Sequence, residues 1–209
     1  HEIARPDVEF HLLGVTRTDQ VPQFRSYGVT SIDSTSPFRQ SFKDDKDNYY
    51  GLDRNYVAVR IPQVDGNASL KRLIRSGKVD QGEAQRLEAA CLNGVRAFAR
   101  GESELAPVLD ALHEYQQLYG SKKDHTDSYR ETLEARPWEQ CPCAICKSVG
   151  VEVVLFRGSE RNKRRGFHNL WVFNQRLQKK LGASRTPELP EPAKPSPPSP
   201  KEGEHVENR

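Results

Sequence analysis

The sequence predicts a mixed α/β protein, and three features of its 209 residues indicate this class. A strand–helix–strand pattern occupies the first 40 residues or so, a series of helices fills the middle, and a cysteine-rich segment follows. Alternation of strand and helix is typical of one βα step of a parallel sheet or barrel. We therefore expect a few parallel strands, a helical insertion and a small metal-binding subdomain.

The first 42 residues are predicted to form two parallel strands joined by a helix. Residues 8–15 and 29–33 have the composition of short strands, and Gly28 supplies the left-handed stop of the intervening helix. Asp33 then lies at the carboxyl end of a strand, where barrel enzymes place their catalytic groups. The alternative is that Asp33 opens an Asx turn into the following serines.

Residues 43–136 are predicted to form a mainly helical insertion. A polar loop and a strand at 55–61 come first, and glycines or a proline end most of the helices that follow. Asp80 and Glu83 form a capping-box signature for the second helix. The helices are expected at residues 68–76, 80–100, 104–119 and 127–136. None of them carries a catalytic signature.

A cysteine–histidine cluster marks residues 137–183 as a metal-binding subdomain. Cys141, Cys143 and Cys146 lie within six residues, and His168 follows on a helix predicted to run from about Ser159 to about 181, after a strand at 151–156. Thiolate and imidazole are ligands that zinc prefers, and four of them close a structural site with no open position. We predict a structural Zn²⁺ here. Packed reduced cysteines and a disulfide are the alternatives.

A run of positive charge opens this last helix. Five cations fall within nine residues, a density that suits a phosphate backbone. The alternative is a solvated helix face. The predicted nucleic-acid-binding residues of this run are Arg157, Arg161, Lys163, Arg164 and Arg165.

Composition limits the remaining classes. Hydrophobic residues make up 35% of the chain, the net charge is +3, and no apolar run approaches the ~20 residues that cross a bilayer. With no signal peptide, we expect a cytoplasmic protein without membrane contact. The proline-rich residues 184–209 are predicted to be disordered. A chain without methionine that opens almost at once on a strand is interpreted as the C-terminal part of a longer protein.

Two separated patterns together resemble the tRNA-guanine transglycosylases. One is Leu12-Leu13-Gly14-Val15 followed by the run Gly28-Val29-Thr30-Ser31-Ile32-Asp33 and Pro37-Phe38-Arg39; the other is Cys-x-Cys-x-x-Cys with a distant His-Asn. The resemblance covers residues 8–40 and 138–175. The long intervening segment departs from the family, and Phe38 stands where a threonine is usual. The arginine-rich segment is similar to the DNA-acting branch, which inserts 7-deazaguanines such as preQ0.

The resemblance implies a fold, a reaction and roles for individual residues. Residues 1–42 would be the last strands of a TIM barrel, (β/α)8, and Asp33 the nucleophile that replaces guanine in DNA through a covalent glycosyl intermediate. Leu13 and Gly14 would form one wall of the base pocket. Arg39 would join the basic run in positioning phosphates. The implied partners are DNA, the free 7-deazaguanine base and other proteins of a DNA-modification cluster.

Two other functions compete with this interpretation. The protein could modify tRNA, in the queuosine or archaeosine pathway, or it could be a non-enzymatic zinc module that binds nucleic acid. A second catalytic carboxylate is expected on an earlier strand that the chain lacks, so we expect these 209 residues alone to be inactive.

Overall fold

The computed structural model describes residues 8–15, 20–43 and 46–182. The tail predicted to be disordered, residues 184–209, lies outside this part of the chain. Within it, no helix has both the length and the apolar character needed to cross a membrane.

The N-terminal segment confirms the predicted strand–helix–strand order. Strand β1 (Phe10–Leu12) pairs in parallel with β2 (Val29–Ile32), and helix α1 (Val21–Ser26) connects them. A short helix that the sequence analysis did not predict, α2 (Ser36–Gln40), follows Asp33 after two residues. Because α2 begins so soon after β2, it fixes the path of the chain leaving Asp33.

The middle of the chain is helical, as predicted, and its helix boundaries agree closely with the capping signals. Asn67 accepts hydrogen bonds from two amides of the first helix turn, and Asp80 accepts one of 2.7 Å from the amide of Glu83. The strand predicted at 55–61 is instead two strands in different sheets. The elements are β3 (Tyr49–Tyr50), β4 (Asn55–Tyr56), β5 (Val59–Arg60), α3 (Ala68–Arg75), α4 (Gln81–Ala99), α5 (Leu105–Leu118) and α6 (Thr126–Ala135).

The C-terminal segment differs from prediction in one element. A strand was expected over 151–156, but Gly150–Val154 forms a 3₁₀ helix and only Leu155–Phe156 (β6) is extended. A short apolar run is buried in either conformation, so its composition could not distinguish the two. The other elements are α7 (Pro137–Gln140), α8 (Ala144–Val149) and α9 (Gly158–Lys180).

One hydrophobic cluster joins the middle helices to the cysteine-rich segment. Strand β5 pairs in parallel with β6, with Val59 opposite Leu155, and the cluster includes Leu87 of α4, Leu112 of α5 and Cys146. Residues on both sides of position 136 therefore share a core, and the proposed domain boundaries stay a prediction. The described residues form a mixed α/β structure, as the sequence indicated. It is mostly helical and contains three two-stranded sheets.

Candidate metal centre and strand-end carboxylate

The predicted ligands Cys141, Cys143, Cys146 and His168 come together. Their ligand atoms all lie within 4.8 Å of one another, and all four residues are buried. The Nδ1 atom of His168 lies 3.7, 3.4 and 3.3 Å from the three sulfurs, in chain order. A tetrahedral ion with zinc-like bond lengths would place sulfur and nitrogen roughly 3.5 Å apart. The donor set therefore fits a four-coordinate metal.

Two helices fix these ligands. Cys143 is the N-cap of α8, and its sulfur accepts a 3.3 Å hydrogen bond from the amide of Cys146. Hydrogen bonds from Cys141 and Cys146 hold the pKa of Cys143 well below its usual value. This favours the thiolate, which is the form that binds metals. His168 arrives from the middle of α9.

Two tyrosines that the sequence analysis missed complete the surroundings of His168. Its Nε2 atom lies 2.7 Å from the carbonyl oxygen of Tyr50, so we assign the ring proton to Nε2, leaving Nδ1 toward the sulfurs. The Tyr49 ring stacks on the imidazole at 4.2 Å, and its hydroxyl lies 3.4 Å from the Cys146 sulfur. Burial, with Cys146 nearby, raises the pKa of Tyr49, so the hydroxyl keeps its proton and can donate it. No sequence signal marks tyrosines for this role.

Asp33 lies at the carboxyl end of β2, beside the end of β1. The Gly14 amide donates a 2.6 Å hydrogen bond to Oδ1 of Asp33, and His11 Nε2 lies 3.9 Å from Oδ2. The Asp33 amide also bonds to the Leu12 carbonyl at 3.1 Å. The side chain of Asp33 is 57% exposed. One carboxylate oxygen is thus anchored while the group stays open to an approaching molecule.

Gly14 adjoins this carboxylate through its amide, and Leu13 precedes Gly14 in the chain; their role in a base pocket stays a prediction. Leu13 is exposed, and Gly14 has a φ of +70° with no atom near the position that a Cβ would occupy. The surface at the end of β1 is therefore open: the Leu13 side chain is exposed, and Gly14 has no side chain that would block access to its backbone.

Helix α9 connects the metal ligands to α2, the helix that follows Asp33. Asn169 donates to the Pro37 carbonyl at 3.1 Å and accepts from the Tyr50 amide at 2.9 Å. Where the helices meet, a Cβ added to Gly166 would lie 2.6 Å from the ring of Phe38. The glycine is what permits this close approach. The helix that bears His168 thereby also supports the segment after Asp33.

Arg165 is a correction to the predicted phosphate-binding run. Its side chain is fully buried, and burial lowers the pKa of its guanidinium to about 9. It donates to the carbonyls of Val153, Leu155 and Ser41 and to the side chain of Asn162. The guanidinium joins α9 to its neighbours and has no surface to offer a phosphate.

Other cations of the run are engaged within the protein. Arg157 pairs with Glu88 at 2.5 Å, Arg161 with Glu152 at 2.8 Å, and Lys163 with Glu160 at 3.9 Å. The first two pairs are largely shielded from solvent, whereas Lys163 is exposed. Arg39 and Arg164 are also exposed. Fewer cations of the run are therefore exposed and unpaired than its composition suggests.

Comparison with known proteins supports the resemblance found in the sequence. No family model matches the chain. The chain is 43% identical over 180 residues to a DNA-guanine transglycosylase of Salmonella montevideo. The matched region covers 84% of this chain and 43% of that relative, so the chain spans less than half of the relative's length. By this similarity, the matched region of the chain is homologous to part of a guanine transglycosylase.

Proposed function

We propose that this chain is part of an enzyme that replaces guanine in DNA by a 7-deazaguanine such as preQ0. The relative's name supports guanine exchange on DNA, and the open carboxylate at the strand ends supports a displacement at a sugar carbon. The observation that carries the proposal is the anchoring of one oxygen of Asp33 by the Gly14 amide. It orients the group while leaving it accessible.

The proposed reaction consists of two displacements at the anomeric carbon. An oxygen of Asp33 bonds to that carbon, and guanine leaves with the electrons of the glycosidic bond and takes up a proton. The incoming 7-deazaguanine loses a proton from its ring nitrogen, bonds to the same carbon and expels the Asp33 carboxylate. The DNA backbone is never cut. The proton acceptor and donor would be a second carboxylate of the enzyme.

Binding roles follow from position in the structure. Leu13 and Gly14 would form one wall of the base pocket, because Gly14 bonds to Asp33 and has open space beside its backbone, and the neighbouring Leu13 is exposed. Arg39, Lys163 and Arg164 would contact phosphates, since their side chains are exposed. Arg157 and Arg161 would contribute less to phosphate binding, because their guanidinium groups are already paired with carboxylates. Such contacts hold the DNA without reading its sequence.

We propose that the metal held by the cysteines and His168 is Zn²⁺, with a structural role. Three sulfurs and one imidazole nitrogen are a donor set that zinc prefers, and four protein ligands leave no coordination position for a substrate. The ion would join α8 to α9 and, through α9, support α2.

Covalent capture tests the reaction. The protein in its full natural length is mixed with guanine-containing duplex DNA and a 7-deazaguanine, and adducts are resolved on a denaturing gel. We expect a denaturation-resistant adduct, absent in Asp33→Asn and retained in Asp110→Asn, which alters an exposed carboxylate on α5. Normal exchange by Asp33→Asn would refute the role of Asp33. An adduct formed with tRNA alone would refute the DNA assignment and favour the tRNA-modifying function.

A further inference from the structure

A cleft on the protein is lined by basic side chains from two segments that are separated in sequence. It has a volume of about 410 Å³ and lies between β5, the start of α3 and the connection between α5 and α6. Arg60, Lys122, Lys123 and His125 line it. Of the described residues that line the cleft, none is an aspartate or a glutamate. Its lining therefore favours an anionic ligand.

The backbone that carries the two lysines is held in place. The Ser121 amide bonds to the Gln116 carbonyl at 3.0 Å, and the Ser121 hydroxyl donates to the Lys123 carbonyl at 2.7 Å. The His125 amide bonds to the side chain of Gln116 at 3.1 Å. The exposed lysines are thus presented from an ordered turn, which lowers the entropy lost when they meet an anion.

The start of α3 adds to the positive potential. Asn67 and Ser69, at the first turn of this helix, line the cleft. The amino end of a helix carries partial positive charge, so the helix reinforces the attraction that the cationic side chains exert.

The cleft adjoins a second depression, and the two together form a longer groove. The second depression, of about 140 Å³, shares Arg60 and Asn67 with the first and reaches Phe156 and Gly158. The guanidinium of Arg60 lies over the Phe156 ring at 5.5 Å, at the junction of the two. A single small anion would occupy one of the two depressions, whereas a chain of linked phosphates can contact both.

We propose that this groove, defined by Arg60, Asn67, Lys122 and Lys123, binds the phosphate backbone of the DNA substrate away from the reacting base. The inference rests on the proposed function, which names DNA as the polymer. The residues of this groove come from positions 60–69 and 119–125, outside the basic run that the sequence singled out, so the linear sequence did not indicate this surface.

Salt-dependent binding tests the groove. Fluorescence anisotropy of labelled duplex DNA is measured over a NaCl series with the full-length protein, Lys122→Ala/Lys123→Ala, and the control Lys179→Ala/Lys180→Ala. The control removes the same charge from two adjacent exposed lysines at the end of α9. We expect the groove variant to bind several-fold more weakly, with its log–log salt slope reduced by about 0.9 for each lost phosphate contact. The control should match the wild type, and all three should melt at the same temperature.

The outcomes separate this inference from the proposed reaction. Equal affinity and slope in the groove variant and the wild type would overturn the groove, as would an equal loss in both double variants. A variant that loses affinity for tRNA but not for DNA would also overturn the inference. So would displacement of the DNA by inorganic phosphate at the same concentration of negative charge. If the groove variant loses DNA affinity while the wild-type protein exchanges no base, the groove stands and the proposed reaction fails. If exchange proceeds with an unchanged KM for DNA in the groove variant, the reaction stands and the groove fails.

Discussion

The backbone amide of Gly14 and the carboxylate of Asp33 are joined by a 2.6 Å hydrogen bond across the ends of two parallel strands. The bond connects the proposed nucleophile, Asp33, to Gly14, a proposed wall of the base pocket. A backbone donor has no side-chain rotamers, so it holds the oxygen with less freedom than a side chain would.

Gly14→Ala is expected to impair base exchange more than it impairs folding. Gly14 has a φ of +70°, so a Cβ there costs about 1 kcal/mol of backbone strain, and relief of that strain would move the amide away from Asp33. Gly77→Ala is the matched control, since Gly77 has a φ of +69° and equally open surroundings at the end of α3. Thermal melting should show similar losses for both variants, and exchange kinetics a loss of kcat for Gly14→Ala only. Equal kcat values would contradict the positioning role of this amide.

Removal of the metal should destabilise the region that its ligands connect. We expect one zinc per chain by mass spectrometry of the native protein, and a fall in Tm with a strong chelator, because a closed site contributes directly to folding. Cys143→Ser should lose the metal and lower Tm in the same way. Cys91→Ala should keep one metal ion, since Cys91 lies in α4 and its thiol contacts the Ala111 carbonyl. A Cys143→Ser variant of unchanged Tm and metal content would contradict the site.

Gly166→Ala should destabilise the contact between α2 and α9. The added Cβ would lie 2.6 Å from the Phe38 ring, and such overpacking costs about 1–3 kcal/mol, more than the ~1 kcal/mol gained from alanine in a helix. Gly94→Ala in α4 is the control, because its Cβ would meet Val108 at an ordinary 3.4 Å. Denaturant unfolding should show a loss for the first and no loss for the second. In the Phe38→Ala background, where the ring is absent, adding Gly166→Ala should cause no further loss of stability. That result would identify the ring as the cause.

Glu152→Gln should weaken the protein in a pH-dependent manner. Burial raises the pKa of Glu152, but hydrogen bonds from Arg96 and Arg161 outweigh it and lower the pKa below the ordinary 4.5. The stabilisation from the ionised form is therefore complete above pH 4.5 and is lost as the pH falls through the lowered pKa. We expect a loss of about 1–2 kcal/mol at pH 7 that shrinks in acid.

Urea unfolding of the Glu152→Gln variant at pH 7 and pH 3.5 measures this difference. Glu102→Gln removes an exposed carboxylate that pairs with Arg100, and solvent screening should leave its stability near that of the wild type at both pH values. A loss at pH 3.5 as large as that at pH 7 would show that Glu152 acts by packing and not by charge.

The sequence determined those features that depend on neighbouring residues. The amino-terminal end of α4 followed from Asp80, whose carboxylate reaches the amide of Glu83 within the same turn. The proximity of Cys141, Cys143 and Cys146 followed from their spacing, because short-range geometry limits where their thiol groups can point. The position of Asp33 after a strand followed from the local strand–helix–strand pattern. These signals act over a few residues and can be interpreted without a partner segment.

Tertiary structure alone decided which polar groups are buried and which charges are open. Arg165 looks like its cationic neighbours in sequence, but carbonyls supplied by Ser41 and Val153 surround its guanidinium. Tyr49 adjoins the candidate metal centre only because α9 brings His168 against its ring. The groove at Arg60 and Lys122 joins residues some 60 positions apart. Burial and electrostatic potential depend on atoms from distant segments, so no local pattern in the sequence can specify them.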